Sequence, residues 1–132
     1  MVIGAAVGGF IANMFGGFDT LLLSLILFMA IDYISGLIVA GVFHSSPKSN
    51  NGGIESRAGW KGLIRKGGTL MIVLIGCRLD LLMGSEYIRN AVIIVFIVNE
   101  CISIIENAAL MGIPVPSVIV KALDILKEKS EG

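Results

Sequence analysis

Charged residues are scarce in this chain of 132 residues. Asp, Glu, Lys and Arg make up 15% of it and hydrophobic residues make up 55%, whereas soluble domains usually carry about 25% charged residues. The ten basic residues are balanced by ten acidic ones, so the chain lacks the positive charge that nucleic-acid binding requires. This composition predicts a membrane protein with no nucleic-acid partner.

Cysteine and histidine are also rare. Cys77 and Cys101 both lie in apolar runs, and the single histidine, His44, lies beside a Ser-Pro loop. Two cysteines provide neither a disulfide framework nor a set of metal ligands. The sequence also lacks a phosphate-binding glycine loop and a nucleophile with a nearby base. We therefore expect no cofactor, no metal site and no enzymatic activity.

No Lys or Arg precedes Lys48. Because a secretory signal peptide needs a basic n-region, we do not expect the apolar N-terminus to be a cleaved signal. Residues 2–18 are rich in glycine, and small residues recur there every four positions, which lets two membrane helices approach closely: Gly4, Gly8, Ala12 and Gly16. The segment is just long enough to cross a bilayer, so the sequence leaves open whether it spans the membrane or lies in the interface.

Three longer apolar runs predict transmembrane helices over about residues 20–43, 64–83 and 88–111, since roughly 20 helical residues cross the hydrocarbon core. A last amphipathic helix is predicted over residues 117–129, after Pro114 and Pro116. The predicted fold is an all-α membrane protein whose residues 1–132 form a single domain. It has three transmembrane helices, and whether residues 2–18 form a fourth is left open.

The segment that leads from the first predicted span into the start of the second is basic. It contains four residues suited to the membrane surface, namely Arg57, Lys61, Arg65 and Lys66. These residues and Trp60 are typical of a short helix at the lipid headgroups. The positive-inside rule places this loop, residues 44–62, in the cytoplasm. An even number of crossings then places the tail, residues 113–132, on the same side.

Polar side chains interrupt the predicted spans. One side of the 87–112 helix carries five of them at spacings of three and four residues: Asn99, Glu100, Ser103, Glu106 and Asn107. Asp32 falls at the midpoint of the first span, and Arg78 and Asp80 lie near the far end of the second. A charge at the centre of a membrane helix costs about 2.5–3.5 kcal/mol. We therefore expect these eight residues to face other helices or water.

Four of the eight residues are carboxylates, and only one, Arg78, is a base. Three or four short helices have little interior in which to hide five ionisable groups. We therefore expect a homo-oligomer surrounded by membrane lipids, in which the polar faces of several copies share a lumen. Whether Asp32 forms a structural pair or has a functional role is left open.

Ordered motifs add a resemblance to a known family. They are Asp32-Tyr33-x-x-Gly36, then Ser56 followed by Gly59-x-Lys61-Gly62-Leu63-x-Arg65-Lys66, then Asn99-Glu100-x-x-Ser103-Ile104-x-Glu106-Asn107, and finally Gly112-x-Pro114-x-Pro116. In this order and at these separations the chain resembles phage holins of the toxin-secretion and phage-lysis type, which include the clostridial toxin-export holins. The motifs cover most of residues 30–125, and the N-terminal segment carries none of them.

The resemblance implies a protein of the bacterial cytoplasmic membrane that accumulates harmlessly and then oligomerises abruptly into lesions. Through these lesions a cytoplasmic endolysin, or in some relatives a large toxin, leaves the cell. The resemblance also implies that the protein is not an enzyme and uses no cofactor. Two other functions remain open from the sequence. A small proton-coupled transporter or channel would confer drug resistance without lysis, and an accessory subunit of a larger membrane complex would form no lesion by itself.

Overall fold

Five α-helices form the chain in the computed structural model, which describes residues 1–131. The helices are α1 (Val2–Met14), α2 (Thr20–Gly41), α3 (Ser56–Met83), α4 (Ile88–Leu110) and α5 (Ser117–Glu131). Within residues 1–131 no strand occurs. The prediction of an all-α fold is confirmed.

Two of the five helices are long and apolar enough to cross a membrane. They are α2, with 22 residues, and α4, with 23 residues; at 1.5 Å per residue both exceed a hydrocarbon core of about 30 Å. α3 is longer still, but Lys66, Arg78 and Asp80 interrupt its apolar part. The third predicted span, over residues 64–83, is therefore not established by length and composition.

The basic segment is the first part of α3 and is not a separate helix or a loop. We predicted a loop over residues 44–62, but α3 begins at Ser56 and continues without interruption to Met83. No proline lies in this range, and each of the two adjacent glycines, Gly67 and Gly68, costs only about 1 kcal/mol in a helix. The helix therefore passes through the change from basic to apolar sequence.

α4 is the central helix of the fold. It packs against α2, α3 and α5, and α2 also packs against α3. The buried core lies where α2, α3 and α4 meet, and it consists of Leu22, Leu25, Met29, Val73, Ile93 and Ile97. This packing brings the middle parts of three helices together, which is where the polar residues of α2 and α4 lie.

α1 is shorter than the apolar segment that contains it. It ends at Met14, and Gly16 and Gly17 follow with φ angles of 81° and 99°. None of its residues is buried, and a Cβ atom at Gly4 or Gly8 would meet nothing within 4 Å. The predicted ridge of small residues is wrong at Gly16, because this residue lies in the turn beyond the helix.

Candidate functional site

Three charged side chains from three different helices meet in the interior. Nζ of Lys66, on α3, lies 2.8 Å from Oδ2 of Asp32 on α2, and 2.9 Å and 3.1 Å from the two carboxylate oxygens of Glu100 on α4. The side chains of Lys66, Asp32 and Glu100 are only 17%, 7% and 11% exposed. We call these three residues the ionic cluster.

The ionic cluster lies near the middle of both candidate spans. Asp32 and Glu100 occupy the central turns of α2 and α4, at the depth where an unpaired carboxylate is most unfavourable. The Lys66 ammonium group has three N–H donors, and its three oxygen contacts account for them. Two ionised carboxylates and one ammonium group leave one net negative charge in the cluster.

Asn107, on α4, and Ser35, on α2, continue the hydrogen bonds of the cluster beyond Asp32. Nδ2 of Asn107 lies 3.1 Å from Oδ1 of Asp32 and 2.8 Å from Oγ of Ser35, which in turn donates to the Asp32 carbonyl oxygen at 3.0 Å. Both side chains are buried. Each carboxylate oxygen of Asp32 therefore has a donor, which buried charged groups require.

A cavity of about 260 Å³ joins the ionic cluster to the hydrophilic loop before α3. Its wall includes the three cluster residues, Ser103 and the loop residues, among them Lys48. The hydroxyl group of Tyr33, another wall residue, donates to the carbonyl oxygen of Gly59 at 3.3 Å and so connects α2 to α3. A space of this volume, with charged and polar groups in its wall, is large enough for several water molecules.

A second buried cation, Arg89, lies at the end of the bundle where α2 and α4 begin. Arg89 is 8% exposed, and its two terminal nitrogens lie 2.8 Å and 3.0 Å from the two carboxylate oxygens of Asp19. Its other contacts are the carbonyl oxygens of Phe15 and Gly17 and the side-chain oxygen of Asn90. All five guanidinium N–H donors are used, and the α1–α2 turn is bound to the start of α4.

The carboxyl group of Asp19 responds to this contact. The side-chain hydrogen bonds from Arg89 hold the pKa of Asp19 below its ordinary value of 3.8, against the opposing effect of partial burial. Asp19 also accepts a hydrogen bond from the backbone N–H of Leu22 at 3.0 Å and so caps α2, as the sequence predicts.

Asp80 has a structural role at the same end. It accepts hydrogen bonds from Oγ of Ser85 at 2.7 Å and from the backbone N–H groups of Ile88 and Arg89 at 3.0 Å and 2.9 Å. These N–H groups belong to the first turn of α4, where no helical acceptor is available. Asp80 therefore joins the end of α3 to the start of α4.

The structure brings together some of the predicted polar residues and separates others. Asp32, Glu100 and Asn107 meet in and beside the cluster, and Ser103 is half-buried in the cavity wall. Asn99 and Glu106 are exposed, and Asn99 also lies in the cavity wall. The predicted stripe is therefore divided between the interior and the surface of a single copy.

One prediction about a basic residue is wrong. Arg78 is exposed, so its predicted place on a polar face shared between copies stays a prediction, and the base that contacts Asp32 and Glu100 is Lys66. We predicted Lys66 at the membrane surface with Arg57, Lys61 and Arg65, which are exposed, but Lys66 lies ten residues inside α3 and turns toward α2 and α4. The buried Arg89 was not predicted. Its position at the start of the 88–111 span, on the same side of the predicted membrane as Asp19, could have indicated the pair.

Comparisons with known proteins show the family of the chain. A model of the bacteriophage holin family matches residues 9–128. A probable holin of Bacillus phage phi105 is 31% identical over 121 residues, covering 91% of this chain and 83% of the relative. No solved structure matches the chain.

Bacterial relatives are similar over the same range. An uncharacterized protein of Listeria monocytogenes is 36% identical over 124 residues, covering 93% of this chain and 83% of its own length. An uncharacterized 14.9 kDa protein of Clostridium perfringens is 34% identical over 117 residues, covering 87% and 83%. Together with two apolar helices long enough to cross a bilayer, the family match indicates a membrane protein. The chain belongs to the bacteriophage holin family.

Proposed function

We propose that this protein is a holin that oligomerises in the bacterial cytoplasmic membrane and forms lesions. Through these lesions a cytoplasmic endolysin, or a large toxin, leaves the cell. The observation that carries the proposal is the ionic cluster of Asp32, Lys66 and Glu100 in the middle of the candidate spans. It gives a single copy a way to hide charges that a water-filled lesion would instead expose.

The cluster supports two states of the protein. In a closed copy, Lys66 neutralises half of the charge of the two carboxylates and holds α2, α3 and α4 together, so that lipid meets mainly apolar side chains. In a lesion, water can solvate the same three groups and their mutual contact is no longer needed. Because ion pairs at low dielectric are strongly attractive while solvated pairs contribute little, hydration of the cluster favours separation of the helices.

The pairing of Lys66 also supports a third span. Lys66 lies in the first half of α3, which ends in an apolar segment, and a lysine bound by two carboxylates is less costly to bury than a free one. With α2, α3 and α4 crossing in alternating directions, the basic start of α3 and the C-terminal tail lie on one side. The positive-inside rule makes that side the cytoplasm.

Asn99 and Glu106 support assembly into a homo-oligomer. They lie seven residues apart on α4, and therefore on one face, and both are exposed in a single copy. Polar side chains on a lipid-facing surface are unfavourable. Contact with a second copy, or with water in a lesion, removes them from lipid.

The proposal is tested by inducible expression in a bacterium with and without a co-expressed cytoplasmic endolysin. We expect abrupt clearing of the culture only when both proteins are present. Drug resistance without release of a cytoplasmic enzyme would instead support a transporter, and no effect of either kind would contradict the proposal.

A further inference from the structure

The two carboxylates of the ionic cluster accept hydrogen bonds from unequal sets of donors. One oxygen of Asp32 accepts from Nζ of Lys66 at 2.8 Å, and the other accepts from Nδ2 of Asn107 at 3.1 Å. Both oxygens of Glu100 contact the same Nζ, at 3.1 Å and 2.9 Å, and within residues 1–131 Lys66 is their one donor. Because hydrogen bonds to an ionised carboxylate stabilise the ionised form, Asp32 is the better stabilised of the two anions.

Burial does not reverse this difference. The side chains of Asp32 and Glu100 are 7% and 11% exposed, so both are removed from water to a similar degree. Both carboxylates also share the single positive charge of Lys66. The separate donor from Asn107 is therefore what distinguishes them.

The cluster carries a net charge that its own residues do not cancel. Two carboxylates share one ammonium group, and an uncompensated charge is unfavourable away from water. One bound proton removes this charge. A proton on Glu100 leaves the Asp32–Lys66 ion pair and the hydrogen bond from Asn107 in place, whereas a proton on Asp32 would take the charged acceptor away from the Asn107 amide.

The other charged groups around Glu100 lie farther along the cavity wall. They are Lys48 and Glu55, before α3, and Arg65 on α3. Lys48 and Arg65 are exposed, and Glu55 accepts a hydrogen bond from the backbone N–H of Asn50 at 3.3 Å. Charges in contact with solvent are screened by salt, so they do not take the place of a proton in the cluster. Within residues 1–131, neither α1 nor α5 contributes to this wall.

The cavity joins Glu100 to these exposed side chains, and its volume of about 260 Å³ is enough for several water molecules. A hydronium ion in such water can give its proton to a carboxylate oxygen of Glu100. An O–H bond forms there, and one water molecule is left behind. The other oxygen of Glu100 can still accept a hydrogen bond from Lys66.

We infer that Glu100 is the proton-binding residue of the ionic cluster. The consequence for closing rests on the proposed function. In a closed copy the proton removes the net charge of the cluster, whereas in a lesion water solvates that charge and the proton can leave. A state that binds more protons is favoured as the pH falls, so proton binding at Glu100 favours the closed copy.

Infrared spectroscopy of the full-length protein in lipid vesicles tests the site. A protonated carboxyl group has a C=O stretching band that the carboxylate lacks, and carbon-13 in that group moves the band to lower frequency. The protein is acidified stepwise from mildly alkaline pH, with either its glutamates or its aspartates labelled in the side-chain carboxyl group. We expect the first band that appears to move with the glutamate label and to stay in place with the aspartate label.

Variants assign this band to one glutamate. Glu100→Gln should abolish it, and Glu106→Gln, which changes an exposed carboxylate on the same helix, should leave it. A first band that moves with the aspartate label, or that remains in Glu100→Gln, would overturn the assignment. The labelling needs no substitution, so it decides between Asp32 and Glu100 even if a variant folds poorly.

The consequence for closing has its own measurement. Glu100→Gln keeps the cluster in a neutral form, so cultures that co-express endolysin should clear later than the parent, and the same onset in both would overturn the effect on closing. The infrared titration is made on purified protein without endolysin, so its outcome is separate from lysis. A glutamate band that disappears in Glu100→Gln, from a protein that never clears cultures, would support the proton site and refute the holin proposal.

Discussion

Nζ of Lys66 lies 2.8 Å from Oδ2 of Asp32, although 34 residues separate them in the sequence. The same ammonium group binds Glu100, which is 34 residues further along the chain. One lysine therefore connects the central turns of the two candidate spans, and this contact is the basis of the first prediction.

Replacing Lys66 with methionine should destabilise the fold. The change keeps the length and much of the volume of the side chain, but it leaves Asp32 and Glu100 buried without a cation, which costs about 3 kcal/mol for a broken buried pair. The measurement is denaturant-induced unfolding in detergent micelles, followed by circular dichroism. Lys61→Met is the control, because Lys61 is an exposed lysine on the same helix and its loss should have little effect.

The pair of Arg89 and Asp19 should make the fold sensitive to acid. The pKa of Asp19 is lowered in the folded protein, so its ion pair stabilises the fold above the unfolded-state pKa near 3.8. That contribution is lost as the pH falls below this value and through the lowered folded-state pKa. Acid unfolding of Asp19→Asn, compared with the parent, should show a smaller loss of stability below about pH 4. An identical acid profile for the two proteins would refute this role.

Gly16 should be intolerant of a side chain. Its φ angle is 81°, and a Cβ atom there would lie 2.9 Å from Nε of Arg89. We expect Gly16→Ala to lower the free energy of unfolding by about 1–2 kcal/mol, because the left-handed conformation is strained for alanine. Gly8→Ala is a matched control with open space around the new methyl group. A loss of stability in Gly8→Ala as large as in Gly16→Ala would contradict this explanation.

The sequence shows why the helices form but not how they pack. Apolar runs predict α2 and α4 because their length matches the hydrocarbon core, and Asp19 predicts the start of α2 by its capping chemistry. The continuity of α3 was not predictable in the same way. Its basic start and its apolar end look like two segments, and only the absence of a proline indicates one helix.

The candidate site was predicted in part for a related reason. Asp32, Glu100 and Asn107 are conspicuous in apolar sequence, and their burial follows from the cost of exposing them. Lys66 stands at the edge of a basic run and therefore looks like a headgroup contact. Its role depends on which side of α3 faces α2 and α4, and that orientation is set by the packing of three helices together.

Glu106 should affect assembly and not folding. It is exposed on α4, so Glu106→Gln should leave the unfolding of a single copy unchanged while it alters the time at which lysis begins. The measurement is the turbidity of cultures that co-express an endolysin. Glu86→Gln is the control, since Glu86 is exposed in the turn before α4 and should leave the timing as it is. Normal timing in Glu106→Gln would remove this residue from the proposed interface.

The most direct test of the ionic cluster compares the onset of lysis in Lys66→Met and Lys61→Met cultures that co-express endolysin and hold equal amounts of the protein in their membranes. If the cluster keeps a single copy closed, Lys66→Met cultures clear earlier than the parent and Lys61→Met cultures clear with the parent. The same onset in all three, or an equal shift in both variants, would contradict a role of the cluster in closing the protein.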